Sequence, residues 1–433
     1  MTNNLPKNWC ECCIKDVANI QTGKLDANAA VENGNYPFFT CALEPLKINT
    51  FSFDGNCIYL PGNGANVGYV GYYQGKFDVY QRTYVLDKIA INERYLYFSI
   101  LLNWKNYNKN KQFGVATNFI RLGNLENYPI NLPPLEEQGR IVEKIEELFS
   151  DIDNGIKDLK TAQAQIKQYR QSVLKSAFEG KLTDNWRQLH KCEKNMEIKE
   201  ETGIYKIPHS WLWCKLPAIG TLNRGKSKHR PRNDKKLYGG KYPFIQTGDV
   251  KEANMYIHKY SQTYNDFGLS QSKLWNENTL CITIAANIAE TAILKIKACF
   301  PDSIVGFVKN KYLYSEELVE YYFRTIKRKL EKYAPATAQK NINLSVLNDI
   351  LFPLPTIPEQ QQIVAEIEKR FAVADEMENA VNDSLLQAEK LKQSILKQAF
   401  AGKLVPQNPN DEPASVLLGR IKAAKENITK GKK

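Results

Sequence analysis

The sequence predicts an α+β protein in which two globular domains, each of mixed β-sheet with short helices, are separated by two long antiparallel coiled-coil helices. Three observations support this fold class. Residues 131–182 and 353–404 align without a gap at a constant offset of 222, and 20 of the 52 aligned positions are identical. Each copy has the apolar spacing of one long helix, and a turn-rich region precedes each copy. The duplication therefore predicts a pseudo-two-fold internal repeat.

Local signals set the ends of both helices. A proline keeps the residue before it out of the helical region, so each helix should begin just after Leu132-Pro133 or Leu354-Pro355. Gly180 and Gly402 follow the last apolar residues, where a left-handed cap is expected. More than forty residues lie between these limits, which corresponds to roughly 60 Å of helix at about 1.5 Å per residue.

Apolar residues recur in both helices with the heptad spacing of a coiled coil. The first seam comprises Ile145, Ile152, Leu159, Ile166 and Val173, with Ile141, Leu148, Ala162 and Tyr169 at the alternate core positions. The second comprises Ile367, Ala374, Val381, Ala388 and Ile395, with Ile363, Met377 and Leu391 at the alternate positions. Less suitable residues interrupt the two seams at Gly155, Arg370, Ser384 and Gln398. Parts of the seams are therefore available to another partner.

The first globular domain is predicted from short apolar runs separated by turn residues. Cys57–Leu60 and Tyr69–Tyr73 flank the glycine-rich stretch Gly62–Gly68, a pattern typical of β-hairpins. That stretch lacks the lysine of a phosphate-binding P-loop and the spacing of a dinucleotide-binding fold, so a turn is favoured. A short helix is predicted over Tyr95–Leu102.

The second globular domain repeats this style. Strands are predicted over Leu280–Ala285 and Ser303–Val308, and a helix over Glu316–Tyr333. An amphipathic helix is predicted around Val416–Ile421 in the tail. The predicted segments are a first domain 1–130, a first long helix 131–182, a polar connector 183–206, a second domain 207–352, a second long helix 353–404 and a tail 405–433.

Cysteines give little support for a metal site. Cys10 and Cys13 have the spacing of metal ligands, but no second pair follows and the four histidines are scattered. Because the second half carries Leu212 and Cys214 at the corresponding place, Cys10 and Cys12 are interpreted as residues of one strand face. Free thiols, the lack of a signal peptide and the lack of an eighteen-residue apolar run predict a soluble cytoplasmic protein.

Positive charge is concentrated in the second domain. The net charge of +12 includes 12 Lys and Arg against 10 Asp and Glu in residues 1–134, and 22 against 12 in residues 207–356. A basic domain beside nearly neutral helices indicates a polyanionic partner, and nucleic acid is the usual one.

The densest positive charge lies in 224–236, where seven of thirteen residues are Lys or Arg and where Gly225 and Pro231 disfavour a regular helix. The candidate DNA-binding residues are Arg224, Lys226, Lys228, His229, Arg230, Arg232, Asn233, Lys235 and Lys236. The lysines suit phosphate contacts, whereas Arg230, Arg232 and Asn233 have the planar donors that read base edges. A solvated charged loop without a ligand is the alternative interpretation.

Motifs for catalysis are missing from the sequence. It contains no acidic or Asn-Pro-Pro-aromatic motif of a DNA methyltransferase. Pro301-Asp302 is similar to the beginning of a metal-dependent nuclease site, but no Glu-x-Lys follows at suitable spacing. We therefore expect no catalytic residues, no metal and no cofactor in this chain.

The duplicated Leu-Pro, Glu-Gln, Ile-Val and Ala-Phe-x-Gly-Lys-Leu elements, together with the tail residues Glu412–Ser415, make the chain resemble the specificity subunit of type I restriction-modification enzymes. The resemblance implies a noncatalytic subunit that reads a split DNA sequence. One target-recognition domain would read each half, and the helices would act as a ruler. It also implies double-stranded DNA, two methyltransferase subunits and restriction motor-nuclease subunits as partners. The methyl donor, ATP and magnesium would be used by those subunits.

A different class of function also fits these patterns. The chain could be a coiled-coil scaffold, or an RNA-binding adaptor, without sequence-specific DNA recognition. Salt dependence separates these alternatives, because a protein that neutralises several DNA phosphates loses orders of magnitude in affinity as salt rises.

Overall fold

The computed structural model describes residues 5–113, 118–190, 200–285, 287–333 and 342–430. Contacts divide the chain into a first unit, 1–160 with 382–433, and a second unit, 161–381. Each unit therefore contains one globular domain and one part of each long helix. Within the described ranges, no helix has both the length and the apolar composition that crossing a membrane would require.

Both units combine α-helices with β-sheets in which most neighbouring strands are antiparallel, in agreement with the α+β class. The helices are α1 (Ile14–Val17), α2 (Glu93–Asn108), α3 (Leu122–Glu126), α4 (Leu135–Phe178), α5 (Asp184–Leu189), α6 (Leu216–Ile219), α7 (Thr247–Glu252), α8 (Asp266–Ser270), α9 (Glu316–Tyr333), α10 (Leu344–Asn348), α11 (Ile357–Phe400) and α12 (Ala414–Lys430). The strands are β1 (Cys10–Cys13), β2 (Asn19–Thr22), β3 (Tyr36–Phe39), β4 (Leu46–Ile48), β5 (Phe53–Pro61), β6 (Gly71–Val79), β7 (Thr83–Asp87), β8 (Pro129–Leu132), β9 (Leu212–Lys215), β10 (Gly220–Arg224), β11 (Tyr238–Phe244), β12 (Tyr256–Ile257), β13 (Gln262–Tyr264), β14 (Leu274–Trp275), β15 (Leu280–Thr283), β16 (Thr291–Leu294), β17 (Ala298–Cys299), β18 (Ile304–Lys309) and β19 (Leu351–Leu354).

The first unit contains a six-stranded mixed sheet in the order β2-β7-β5-β6-β3-β4. The predicted hairpin is present, because β5 and β6 pair antiparallel. The predicted helix Tyr95–Leu102 lies within the longer α2, which begins earlier because the Asn92 side chain caps it by accepting the Tyr95 N–H. β1 pairs with β8 apart from this sheet, and this confirms the strand interpretation of Cys10 and Cys12.

The second unit has similar strand neighbours, but two smaller sheets, β10-β18-β15-β16-β12 and β13-β11-β17-β14, replace the six-stranded one. A separate antiparallel pair, β9 with β19, corresponds to β1 with β8. β10 lies beside β18 as β2 lies beside β7, and β11 is parallel to β17 as β3 is to β6. The long hairpin of the first unit corresponds here to four short strands, β14 to β17. The predicted strands overlap β15 and β18, and α9 has the predicted bounds.

Each long helix begins at a buried corner that occurs in both units. The indole N–H of Trp9 donates to Oε2 of Glu137 at 3.1 Å. The indole N–H of Trp211 donates to Oε2 of Glu359 at 2.7 Å. Glu137 and Glu359 occupy equivalent positions of the duplication, so the repeat preserves the same tertiary hydrogen bond.

The residue after each glutamate, Gln138 or Gln360, connects the long helix to a shorter helix of the globular domain. Oε1 of Gln138 accepts the N–H of Asn92, the capping residue of α2, at 2.9 Å. Oε1 of Gln360 accepts the N–H of Tyr314, just before α9, at 2.7 Å. The start of each long helix is therefore fixed to its own domain by buried glutamine side chains.

The far ends of the long helices also match. Gly180 and Gly402 have φ values of 76° and 66°, which confirms the predicted left-handed caps. A Cβ built on Gly180 would lie 2.3 Å from Cγ of Pro208, and one on Gly402 would lie 2.4 Å from Cγ of Pro6. A proline therefore covers each cap, and glycine is needed for its close approach as well as for its backbone conformation.

In the first unit, α4 and α11 run antiparallel. Asn131, just before α4, donates to the carbonyl of Phe400 at the end of α11 at 3.1 Å. Further along α4, Asp153 accepts from Nζ of Lys392 at 2.5 Å. Residue numbers thus rise along α4 as they fall along α11.

The second unit repeats this antiparallel pairing. The ring of Phe178, at the end of α4, contacts the ring of Phe352, which precedes α11. Earlier on α4, Nη2 of Arg170 donates to Oδ1 of Asp375 at 2.7 Å. The offset of 222 that relates the two copies converts Asp153 and Lys392 of the first unit into this pair, so an interhelical ion pair is duplicated as well.

The buried seam is narrower than predicted. Several seam residues are buried, namely Ile141, Ile145, Ile166, Val173, Ile363, Ile367, Ala374 and Ile395. Tyr169, Met377 and Leu391, however, are 40%, 53% and 52% exposed, and the prediction of core positions was wrong for them. A contact between two helices buries only a narrow stripe of each, and these three side chains lie outside it.

The predicted connector and the predicted tail each contain a helix. α5 occupies the beginning of the predicted connector, and residues 191–199 lie outside the described residues. The predicted tail helix is present as α12, and its first N–H, that of Ala414, donates to the carbonyl of Asn8 in the first unit.

Candidate nucleic-acid interface

The basic segment forms a loop between β10 and β11, residues 225–237, which we call the basic loop. The backbone N–H groups of Gly225, Lys226 and Lys228 donate to carbonyls of neighbouring segments at 2.8 to 3.0 Å. A Cβ on Gly225 would lie 2.3 Å from the carbonyl oxygen of Pro301, so glycine permits this approach. The backbone of the loop is thus held while its lysine side chains are exposed.

All three arginines of the candidate site lie close to one aspartate, Asp302. Nη2 of Arg232 donates to Oδ1 and Oδ2 of Asp302 at 2.7 and 2.9 Å, and Nη2 of Arg230 lies 4.0 Å from Oδ2. Nε of Arg224 donates to the backbone carbonyl of Asp302 at 3.1 Å. In the sequence, Asp302 stands out only within a nuclease-like motif, because nothing local connects it to arginines 70 or more residues away.

A second aspartate orders the other side of the loop. Oδ1 of Asp234 accepts the N–H of Lys236 at 3.0 Å, and Oδ2 lies 2.8 Å from Nε2 of His229. The Lys236 N–H, and after it His229, lower the pKa of the Asp234 carboxyl below its usual value. This carboxylate caps the single 3-10 turn that contains Lys235 and Lys236.

The positive charges of the lysines in the basic loop are not neutralised by ion pairs with described residues. The side chains of Lys226, Lys228, Lys235 and Lys236 are exposed, and none of them makes an ion pair with another described residue. They give this face a positive potential that attracts a polyanion.

A cleft of about 680 Å³ lies behind the basic loop. Arg232, Asn233 and Lys235 line one side of it, and Gln246 and Gln262 contribute amides. Nε2 of Gln246 donates to Oε1 of Gln262 at 2.8 Å. The other amide atoms of this pair, one acceptor and one donor, bond no described residue, and amide side chains are among the groups that read an adenine edge. Neither glutamine is among the residues predicted from the sequence, since isolated glutamines carry no local signal.

The described residues contain no group of three or more His, Cys, Asp or Glu side chains that could hold a metal ion. Cys12 lies in β1, and burial raises the pKa of its thiol to about 12, which makes it a poor thiolate ligand. The eight described cysteines are free thiols.

The first unit places a different loop at the equivalent position, residues 23–35 between β2 and β3, which we call the acidic loop. A Cβ on Gly23 would overlap the carbonyl oxygen of Val79, as one on Gly225 would approach Pro301. Gln81 occupies the place of Asp302 and donates from Nε2 to Oδ2 of Asp26 at 3.0 Å. The loop carries one lysine and two acidic residues, so it has no counterpart of the exposed lysines.

Comparison with known families identifies similarity over most of the chain. The model for the type I restriction modification DNA specificity domain matches residues 6–161 and 210–387. The specificity subunit of the type I restriction enzyme EcoDI of Escherichia coli is 30% identical over 97% of this chain and 96% of its own. The specificity subunit of MjaVIII from Methanocaldococcus jannaschii is 25% identical over 94% of this chain and 95% of its own.

Solved structures resemble this fold at lower sequence identity. A chain from a study of complex assembly and conformational transition of the type I R-M system has a TM-score of 0.69 and 16% identity, covering 93% of this chain and all of its own. The HsdS subunit of Thermoanaerobacter tengcongensis has a TM-score of 0.51 and 18% identity over the same shares.

Proposed function

The chain belongs to the family of type I restriction-modification DNA specificity subunits, and from that premise we propose that it reads a bipartite DNA target. Each target-recognition domain reads one half-site, and the chain directs methylation and restriction by partner subunits without catalysing either reaction. The observation that carries the proposal most directly is the basic loop, whose four lysines are exposed. One of them, Lys235, lines a cleft that contains unused hydrogen-bonding atoms.

In this proposal the lysines of the basic loop contact the DNA backbone, whereas an arginine contacts the bases. Lys226, Lys228 and Lys235 contact phosphates, which adds affinity without sequence information. Arg232 already donates from Nη2 to both carboxylate oxygens of Asp302, and the planar fork of its guanidinium has the donors that suit the two acceptors of a guanine edge. It exchanges Asp302 for DNA when the half-site is bound.

The glutamine pair in the cleft supports direct base reading. Gln246 and Gln262 hold each other through one hydrogen bond, so their remaining amide atoms are oriented before DNA arrives. We place Asn233, on the wall of the same cleft, in the same role, because asparagine and glutamine amides match the donor and acceptor of adenine.

The division of labour extends to partner subunits. Two methyltransferase subunits use the methyl donor, and motor-nuclease subunits use ATP and magnesium, in the cytoplasm. The exposed apolar side chains Tyr169, Met377 and Leu391 on the long helices support docking of methyltransferase subunits there, because paired helices with unburied apolar residues accept further helices.

Selection from random DNA tests the proposal. The full-length chain, with any chains that co-purify, is mixed with duplexes carrying a long random segment, and bound DNA is sequenced. We expect two short motifs separated by a fixed unread spacer, and an affinity that falls linearly with salt on logarithmic axes. Binding without any motif, or equal binding of random RNA, would instead favour the scaffold or adaptor function.

A further inference from the structure

The near-neutral charge of the first domain conceals a segregated basic surface. Residues 1–134 contain 12 Lys and Arg and 10 Asp and Glu. Four of the cations lie between positions 105 and 121, and no acidic residue does. The rest of the domain therefore has more acidic than basic residues, and the sum over the domain hides a local excess of four positive charges.

The fold brings these four cations together at the end of α2. We call Lys105, Lys109, Lys111 and Arg121 the α2-end surface. Lys105 lies in the last turn of the helix, Lys109 is its C-cap, and Arg121 precedes α3. Asn124 connects the parts, since its Oδ1 accepts the Arg121 N–H at 3.0 Å and its Nδ2 donates to the Lys111 carbonyl at 3.2 Å.

Aromatic rings support two of the cations. Nζ of Lys111 lies 3.5 Å from the ring centroid of Tyr107, and the guanidinium of Arg121 lies 4.2 Å from that of Phe113. Phe113 is 39% exposed. A cation over a partly exposed ring keeps its hydrogen-bond donors free while its position is fixed, which suits contact with a sugar-phosphate backbone.

The helix dipole explains only part of this arrangement. Cations are favoured at a helix C-terminus, which accounts for Lys105 and Lys109. Lys111 lies beyond the helix, and Arg121 stands at the beginning of α3, where the dipole disfavours a cation. All four side chains are exposed, and none of them forms an ion pair within the described residues. Four such charges cost stability through mutual repulsion unless a polyanion uses them.

We propose that the α2-end surface is the phosphate-backbone contact of the first target-recognition domain. This inference rests on the proposed function, because the polyanion is the DNA that flanks the first half-site. The acidic loop, at the position of the basic loop, cannot supply these contacts, so the first domain binds the backbone from another element.

Two sets of substitutions with equal charge change test the inference. The test variant combines Lys105→Gln, Lys109→Gln, Lys111→Gln and Arg121→Gln. The control combines Lys24→Gln, Lys47→Gln, Lys76→Gln and Lys88→Gln, which are exposed elsewhere in the same domain. Binding of the full-length chain to its selected duplex is measured over a salt series. The slope of log affinity against log salt is negative, and we expect its magnitude to decrease by about 2 to 4 in the test variant and by less than about 1 in the control.

Shortened duplexes locate the contact. One duplex carries the second half-site but lacks the first half-site and its flanking DNA. On this duplex the test variant should bind like the unsubstituted chain, whereas Lys226→Gln with Lys228→Gln should weaken binding. The single change Lys109→Glu provides a milder variant, and circular dichroism on heating verifies that each variant is folded. Equal loss of slope in test and control variants, or equal loss on the shortened duplex, would overturn the inference. Selection of no two-part motif by the unsubstituted chain would overturn the proposed function instead.

Discussion

The two units share their internal frame but differ at their surface. Glu137 and Glu359 each bind a tryptophan indole at the start of a long helix, and Gly180 and Gly402 each end one beneath a proline. The loop between β2 and β3 in the first unit and the loop between β10 and β11 in the second occupy equivalent positions but differ in charge. The acidic loop has one lysine against two acidic residues. The basic loop has six Lys and Arg against one Asp.

The comparison separates the buried contacts that fix the long helices from the exposed loops that can contact a ligand. A buried hydrogen bond cannot be changed on one side without leaving its partner unsatisfied, so both copies retain it. The loops are anchored mainly by backbone groups and by a few carboxylate or amide contacts, so their outward side chains can differ without loss of the fold. Duplicated architecture and divergent recognition are thus compatible within one chain.

The largest expected effect tests the shared frame. Glu359 accepts hydrogen bonds from three side chains, those of Trp211, Thr183 and Arg187. Its counterpart Glu137 accepts one from Trp9. We expect Glu359→Ala to destabilise the second unit by roughly 3 to 5 kcal/mol, because it leaves a half-buried arginine and an indole without their acceptor. Glu137→Ala should cost the first unit about 1 to 3 kcal/mol.

Hydrogen exchange resolved by peptide provides the measurement for both variants, because it reports each unit separately. Loss of protection should be confined to the unit that carries the substitution. Equal losses for the two variants would mean that the extra partners of Glu359 contribute no stability.

The next effect concerns pH and the second unit. Burial raises the pKa of Glu320 on α9 to about 7, an effect that Arg324 only partly opposes. The buried acid favours its protonated form, so its stabilising contribution is complete below about pH 4.5 and is lost as pH rises through 7. Relative to Glu320→Gln, the unsubstituted chain should lose roughly 2 to 3 kcal/mol between pH 5 and pH 8.

Exchange of α9 amides, corrected for the intrinsic effect of pH, measures this difference. The matched region is α2 of the first unit, which should show no corresponding change between the two proteins. A constant stability difference from pH 5 to pH 8 would show that Glu320 does not titrate in this range.

A third prediction addresses the two loops directly. Arg230→Ala and Arg232→Ala should each weaken specific DNA binding by about 1 to 3 kcal/mol if they contact bases. Lys226→Ala or Lys228→Ala should weaken binding to all sequences alike and flatten the salt dependence. Lys24→Ala in the acidic loop is the control, and binding to the selected and scrambled duplexes is compared. Identical behaviour of all four basic-loop variants would reduce the loop to an electrostatic anchor.

The smallest expected effect arises from Asp302. Asp302→Asn removes the carboxylate charge that holds Arg232, and we expect scrambled DNA to bind about two- to fivefold more tightly, because an exposed ion pair is worth only about 1 kcal/mol or less. Discrimination between selected and scrambled duplexes should fall accordingly. Gln81→Ala, at the equivalent position of the first unit, should leave both affinities unchanged.

Local chemistry made much of the frame predictable. Leu132-Pro133 and Gly180 act through the conformations of their own backbones, so the sequence located both ends of α4 closely. Met377 and Leu391 were wrongly placed in the core, because heptad spacing does not reveal how wide a stripe the partner helix covers. The break of the long hairpin into short strands in the second unit also had no signal that sequence periodicity could detect.

The candidate site was only partly predictable for a related reason. Charge density identified the basic loop, since its cations are consecutive in sequence. Asp302 and Gln262 reach the same place only through the fold, and isolated polar residues give no pattern. The net charge of the whole first domain hides the α2-end surface, whereas the net charge of residues 105–121 alone reveals it.

The anchoring of the basic loop also has a kinetic consequence. Backbone hydrogen bonds fix the loop at Gly225, Lys226 and Lys228. Asp302 binds the side chain of Arg232, and Asp234 accepts the backbone N–H of Lys236. The loop therefore need not fold during an encounter with DNA, and little conformational entropy is lost on docking. Association should be governed by electrostatic steering from the exposed lysines, with rates that rise steeply as ionic strength falls.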